Sequence, residues 1–139
     1  DHPRAPDIVL VCQTAKDKNV HGVHGLSLHD APYPEGGGCY GGLSIWELHN
    51  VLCLGGAAFR QGAEIAAPAG NIDILPTVMS LLGLVPPTEI DGRVLTEAFA
   101  DGPAPEDIVW DEETRTTSGA ALTYRHMGDG IYLDRGWRP

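Results

Sequence analysis

The sequence predicts an α/β fold, and three observations lead to this prediction. Two short runs of consecutive apolar residues, 8–12 and 51–54, are typical of strands that are covered on both faces of a parallel sheet. Residues 72–82 carry apolar side chains three or four positions apart, which is the spacing of a helix. Near the C-terminus, strand-like segments flank a Gly-Asp-Gly turn at 128–130.

The first predicted strand, residues 7–12, is followed by a long loop. A connection of about thirty residues is unusual within a compact domain, so the loop at 13–43 is predicted to form a site or an interface. A short helical turn at 44–49 and a buried strand at 50–54 come next. His49 is predicted to pack that turn onto the sheet.

The helix predicted at 72–82 has recognisable ends. Pro76 falls in its first turn, where proline is tolerated, and Gly83 occupies the C-cap position. The helix is predicted to be structural, because its apolar residues share one face. The residues predicted to pack on the sheet are Ile72, Leu75, Val78, Met79 and Leu82.

The chain is predicted to have two parts. Residues 1–101 form the α/β core, which ends in a short helix at 94–99. Residues 102–139 form a linker, Gly-Pro-Ala-Pro, and a C-terminal β-hairpin segment. The predicted strands of this second part are 108–111, 122–127 and 131–134, and His126 is predicted to be a surface residue of a strand.

Composition and charge limit the function. The chain has 139 residues and a formal net charge of −10, and it contains no cluster of Lys and Arg. Such a chain repels polyanions, so we expect no nucleic-acid partner. No apolar run approaches the roughly 18 residues that a membrane helix needs, so we expect no membrane partner either.

Neither the cysteines nor the known catalytic motifs indicate a complete active site. Cys12 and Cys53 lie in apolar runs and are predicted to be small buried residues, whereas Cys39 is predicted to be a loop thiol. The chain contains no nucleophile elbow, phosphate-binding loop or H-E-x-x-H zinc motif. We therefore predict no catalytic residue within the chain.

Five segments follow one another along the chain: HPRAPDIV at 2–9, NVHGVHG at 19–25, GGGCYGGLSIWELHNVLCLGGAAFRQG at 36–62, NIDILPT at 71–77 and DGRVL at 91–95. Their order and spacing resemble the type I phosphodiesterase/nucleotide pyrophosphatase branch of the alkaline phosphatase superfamily. The resemblance implies that the chain is the C-terminal part of an alkaline-phosphatase-like mixed or parallel sheet with flanking helices, ending in a β-hairpin.

The resemblance also implies a metal at Tyr40, because a histidine ligand occupies this position in that family. A neutral imidazole binds zinc near neutral pH, whereas a phenol with an ordinary pKa of about 10 must first lose its proton. The family implies a divalent metal, zinc, but the phenol favours a harder cation such as iron. His21 and His24 are placed on the substrate side, and their spacing also suits direct metal contact.

The implied function is a metal-dependent hydrolase of a phosphate or related ester. In that family the nucleophile and most metal ligands precede the segments found here. This chain is therefore predicted to be active only with an N-terminal part, or with another protein chain that completes the sheet. Two alternatives stay open: a catalytically inactive structural or regulatory subunit, and an iron enzyme of different chemistry with Tyr40 as ligand.

Overall fold

The computed structural model describes residues 3, 5–26, 32 and 41–138. They belong to two compact units. Unit 1 comprises Asp1–Asn50, Thr116–Leu122 and Asp134–Pro139, and unit 2 comprises Val51–Arg115 and Thr123–Leu133. The predicted division at residue 102 stays a prediction.

The described residues contain two α-helices, three 3-10 turns and three strands. The α-helices are α1 (Ile45–Leu48) and α2 (Ile74–Leu81), and the 3-10 turns are Asn71–Asp73, Thr96–Ala98 and Pro105–Asp107. The strands are β1 (Asp111–Thr117), β2 (Ala120–Met127) and β3 (Gly130–Trp137).

The three strands form one antiparallel sheet in the order β1-β2-β3. Two-residue turns join them, and each turn has a glycine with positive φ: 101° at Gly119 and 57° at Gly128. Glycine adopts these angles without steric penalty, which allows such tight connections. The strands predicted at 122–127 and 131–134 lie within β2 and β3, whereas β1 begins where the strand predicted at 108–111 was expected to end.

The predicted alkaline-phosphatase-like α/β fold is wrong for this chain. The described residues form a small antiparallel sheet and a single helix of eight residues, instead of a mixed or parallel sheet with flanking helices. The runs at 8–12 and 50–54 have no regular secondary structure, and Leu10 and Val51 are each 90% exposed. A run of apolar residues becomes a strand only where a neighbouring strand accepts its backbone hydrogen bonds, and no described strand does so here.

The prediction that two cysteines are buried is wrong for the same reason. Cys12 and Cys53 are free thiols and are exposed, because each lies in one of these unpaired runs. Cys39 lies outside the described residues.

The helix predicted at 72–82 is confirmed as a 3-10 turn followed by α2. It ends in a Schellman motif: Gly83 has φ of 68° and donates its N–H to Ser80 O at 3.0 Å, and Leu84 donates its N–H to Met79 O at 2.9 Å. The helical turn predicted at 44–49 is confirmed as α1.

The predicted packing face of α2 is wrong. Met79 is half-buried, but the other four residues predicted to pack on the sheet are exposed. The buried residues of this segment are Asp73, Pro76 and Thr77. Polar contacts rather than an apolar stripe therefore attach this helix to its unit.

The buried core is small among the described residues, and half of its residues are polar. Leu95 and Ala98 are the buried hydrophobic residues of unit 2, and Ala121 is that of unit 1. The buried polar residues are Asp73, Thr77, Glu97 and Thr123 in unit 2 and Asp134 in unit 1. Hydrogen bonds must satisfy these groups, because an unpaired polar group is costly to bury.

Candidate functional site

Two of the motif segments are joined to each other by hydrogen bonds in unit 2. The N–H of Arg93 donates to Asp73 Oδ1 at 2.8 Å, and the N–H of Leu95 donates to Thr77 Oγ1 at 3.0 Å. All four residues belong to the segments at 71–77 and 91–95 that carry the family resemblance. In this chain those motif residues connect one segment to the other.

The Asp73 carboxylate is fully buried and accepts three hydrogen bonds. Besides the Arg93 N–H, the Gly70 N–H donates to Oδ2 at 2.8 Å and the Tyr132 hydroxyl donates to Oδ1 at 3.2 Å. Several donors of this kind compensate for the loss of water around a buried carboxylate. We therefore assign Asp73 a structural role.

The Arg93 guanidinium pairs with Glu97 through both of its terminal nitrogens. Nη1 donates to Oε2 at 2.9 Å and Nη2 to Oε1 at 2.6 Å, while Nη2 also donates to Pro68 O at 2.9 Å and Nε to the Tyr132 hydroxyl at 3.2 Å. Burial alone would lower the pKa of Arg93, but the hydrogen bonds and negative charge of Glu97 outweigh it and raise the pKa. Asp73, Arg93, Glu97 and Tyr132 are called the Arg93 network below.

Tyr132 connects the Asp73 carboxylate and the Arg93 guanidinium of this network to strand β3. Burial raises the pKa of its phenol above the ordinary value, and the Asp73 carboxylate adds to the rise against the opposing effect of Arg93. The folded chain thus holds this proton more tightly than the unfolded chain does. The resulting stabilisation is fully present below the unfolded pKa of about 10 and is lost as the pH rises through the folded pKa.

Spectrophotometric titration is therefore expected to show a tyrosine step above the ordinary pKa of about 10 that coincides with unfolding of unit 2. The chain has four tyrosines, and absorbance of tyrosinate measures them all. Tyr132→Phe should remove this step, whereas Tyr124→Phe should retain it. A step that persists in Tyr132→Phe would belong to another tyrosine.

A second polar cluster lies in unit 1, at the residues that follow Gly41 and Gly42. Glu47 Oε2 accepts the hydroxyl of Ser44 at 2.7 Å and that of Thr14 at 2.9 Å. The Ser-x-x-Glu pattern is typical of a helix start, and here it opens α1. A Cβ atom at Gly42 would overlap the Glu47 carboxylate. This cluster therefore holds the two ends of the long loop, at Thr14 and Gly42, against the Glu47 carboxylate.

His49 and Asp134 form a pair in the same unit. His49 Nε2 lies 3.0 Å from Asp134 Oδ1, and the side chains are 48% and 5% exposed. A carboxylate accepts hydrogen bonds, so Nε2 carries the proton and Nδ1 keeps its lone pair. An imidazole oriented in this way can transfer a proton or bind a cation. His49 is predicted to pack its turn onto the sheet, and in the structure its ring is oriented by Asp134, a residue of β3 that lies 85 positions further along the chain.

The predicted site residues are only partly described. Tyr40 lies outside the described residues, and His21 and His24 are exposed. His24 donates its Nδ1 proton to Lys16 O at 2.9 Å, and its ring stacks on that of Trp46 with centroids 5.7 Å apart. These contacts shape the loop. The substrate-binding role of both histidines stays a prediction.

The described part of the chain contains no group of three or more His, Cys, Asp or Glu side chains that could hold a metal ion. These residues therefore do not form a metal site by themselves. The predicted metal and the ligand role of Tyr40 stay predictions.

A cavity of about 280 Å³ is present in unit 2. It is lined mainly by apolar side chains, together with Arg60, Glu64 and Glu97. The guanidinium of Arg60 already donates to the carbonyl oxygens of Glu97, Gly102 and Pro103. The volume is at the lower limit of the roughly 300–1,000 Å³ that small-molecule sites occupy, so we assign no ligand to this cavity.

The sequence predictions missed three residues that take part in these contacts. Glu97 follows Arg93 by four positions, the spacing at which charges pair on a helix, although only Thr96–Ala98 of this segment forms a 3-10 turn. Tyr132 and Asp134 had no such signal, since each meets its partner from a distant strand.

No protein-family model, curated protein or solved structure matches this chain. The family resemblance therefore rests on its five segments alone. Within residues 5–26 and 41–138, no helix is both long and apolar enough to cross a membrane.

Proposed function

We propose that the chain is the C-terminal part or subunit of a metal-dependent hydrolase of phosphate or related esters, active together with a second polypeptide part. The hydrolase class rests on the five family-like segments. The observation that carries the need for a second part is the exposed apolar run at 8–11, in which Ile8, Val9 and Leu10 have most of their surface in water. Contiguous apolar surface of this kind marks an interaction site.

The Arg93 network supports a framework role for the motif segments. Each charged group in it is paired inside unit 2, and the Asp73 carboxylate has three donors. Groups that are satisfied in this way stabilise the segments they join but leave no free ligand. In the proposal, the nucleophile and the remaining metal ligands come from the second part.

The long loop of unit 1 contributes to the substrate side in this proposal. Tyr40 precedes Gly42 by two residues, and Gly42 is held against the Glu47 carboxylate. Tyr40 is proposed as the ligand that this chain offers to a metal, and His21 and His24 as residues that contact the ester. A bound divalent metal would supply charge stabilisation on the transferring group.

A second candidate is a catalytically inactive structural or regulatory subunit. The phenol at position 40, where the family-like loop implies an imidazole, favours this candidate. A third reading retains catalysis with iron, because a phenolate suits a harder cation than zinc. Metal content separates the three candidates.

The assembly purified through a tag on this chain is expected to hydrolyse bis(p-nitrophenyl) phosphate and to lose this activity with EDTA. Tyr40→Phe should lower kcat by roughly 10–100-fold and reduce the metal content, because ligand positions control both. Tyr33→Phe is the matched control and should leave both unchanged. Zinc supports the first candidate, and iron with a visible charge-transfer band supports the third.

Two outcomes would contradict the proposal. An assembly with neither metal nor hydrolysis would establish the inactive subunit in its place. Unchanged activity and metal content in Tyr40→Phe would remove Tyr40 from the site.

A further inference from the structure

Helix α2 carries an apolar face that no described residue covers. Its residues are between 41% and 68% exposed. We call them the α2 face: Ile74, Leu75, Val78, Leu81, Leu82 and Leu84. Monomers rarely expose a contiguous apolar patch above a few hundred Å², and each partner in a standard interface buries about 800 Å². Six large side chains that are about half exposed amount to a patch of a few hundred Å², which is large for a monomer and would form part of such an interface.

The opposite side of α2 is fixed to unit 2. Pro76 and Thr77 are buried, and the hydroxyl of Thr77 accepts the N–H of Leu95 at 3.0 Å. The α2 face is therefore held outward. Ile74, Val78 and Leu81 follow the i, i+4, i+7 spacing with which helices pack against another helix or a sheet.

Charge decides what kind of surface can cover this face. Residues 61–92 contain no Lys or Arg, and three of their acidic residues, Glu64, Glu89 and Asp91, are exposed. Amphipathic helices that bind anionic membranes have a polar face rich in Lys and Arg, which this segment lacks. A second copy is disfavoured because each chain has a net charge of −10, and like charges oppose association.

We propose that the α2 face docks a different polypeptide, whose contact surface is apolar and bordered by Lys or Arg. The proposal rests on the requirement for a second part and not on the hydrolase chemistry. Binding at this face and ester hydrolysis can therefore succeed or fail independently.

The test uses the full chain and two fluorescent helical peptides that share the same leucine face. In one peptide lysine residues border this face, and in the other glutamate residues do. Fluorescence anisotropy should give a Kd at least about tenfold lower for the lysine-bordered peptide, because its charge complements the acidic segment. The double variant Leu75→Ser with Leu82→Ser should weaken this binding by at least about tenfold.

The matched control replaces two exposed apolar residues of unit 2 outside the face, Val109→Ser with Ile131→Ser, and should leave the Kd unchanged. Exchange of the Leu95 amide shows whether each variant keeps its fold. Equal binding of both peptides, or binding unaffected by the α2 variant, would overturn the proposal. So would sedimentation showing a dimer that the α2 variant abolishes, or binding to phosphatidylserine vesicles that it abolishes.

Discussion

Replacing Arg93 by methionine is expected to destabilise unit 2 by about 3–5 kcal/mol, because it leaves the Glu97 carboxylate buried without its cation. The Glu97 side chain is 2% exposed, so water cannot take over the role of the guanidinium. The variant also loses the hydrogen bonds to Pro68 and Tyr132. Hydrogen exchange of the Leu95 amide measures the loss, because that amide is bonded to Thr77 inside the same unit.

Two further variants separate loss of a buried pair from general damage. Arg93→Met with Glu97→Leu should recover most of the loss, because replacing both partners removes the unpaired charge. Arg115→Met changes an exposed pair with Glu113 and should leave exchange nearly unchanged, since water and salt screen such a pair. Failure of the double variant to recover would mean that the guanidinium acts mainly through its backbone acceptors.

Gly92→Ala is expected to destabilise unit 2 by about 2–4 kcal/mol, through overpacking and the loss of a hydrogen bond. A Cβ atom at position 92 would overlap the carbonyl group of Ile72, which is backbone and cannot rotate away. The segment would have to move and would carry the Arg93 N–H away from Asp73. The same Leu95 amide reports the effect.

Gly55→Ala provides the control for this substitution. No heavy atom of the described residues lies within 4 Å of a Cβ atom there, and its φ is not in the left-handed region. Hydrogen exchange of the Leu95 amide in Gly55→Ala should therefore match that of the native chain. Equal effects of the two alanines would show that residues 91–93 can shift without breaking the Arg93 network.

Local signals predicted the elements that need only local interactions. Pro76 in the first turn and Gly83 after the last turn marked the ends of the helix, because each position has its own backbone requirement. Gly128 marked the turn between β2 and β3 in the same way.

The predicted fold class failed where an element depends on partners. The apolar run at 8–12 has the composition of a buried strand, but a strand also needs a neighbour for its backbone groups. The predicted packing face of α2 is wrong for a related reason. Its apolar spacing indicates a contact surface without saying what covers it, and the polar residues Asp73 and Thr77 attach the helix instead.

The candidate site shows the same division. The sequence singled out the segments at 71–77 and 91–95, and the structure joins them. The sequence did not indicate Tyr132 or Asp134, which approach their partners from β3. Side chains separated by tens of residues meet only when the chain folds, and no spacing rule for helices or strands anticipates such a pair.

The sequence by itself determined the ends of α2, the turn between β2 and β3, and the net negative charge of the chain. These properties follow from single residues or from total charge. Only the tertiary structure decided that Asp73 and Arg93 belong to one buried network, that His49 faces Asp134, and that no described residue covers the apolar side of α2. The physical reason is that burial and pairing are properties of two surfaces in contact, whereas a sequence pattern describes one surface alone.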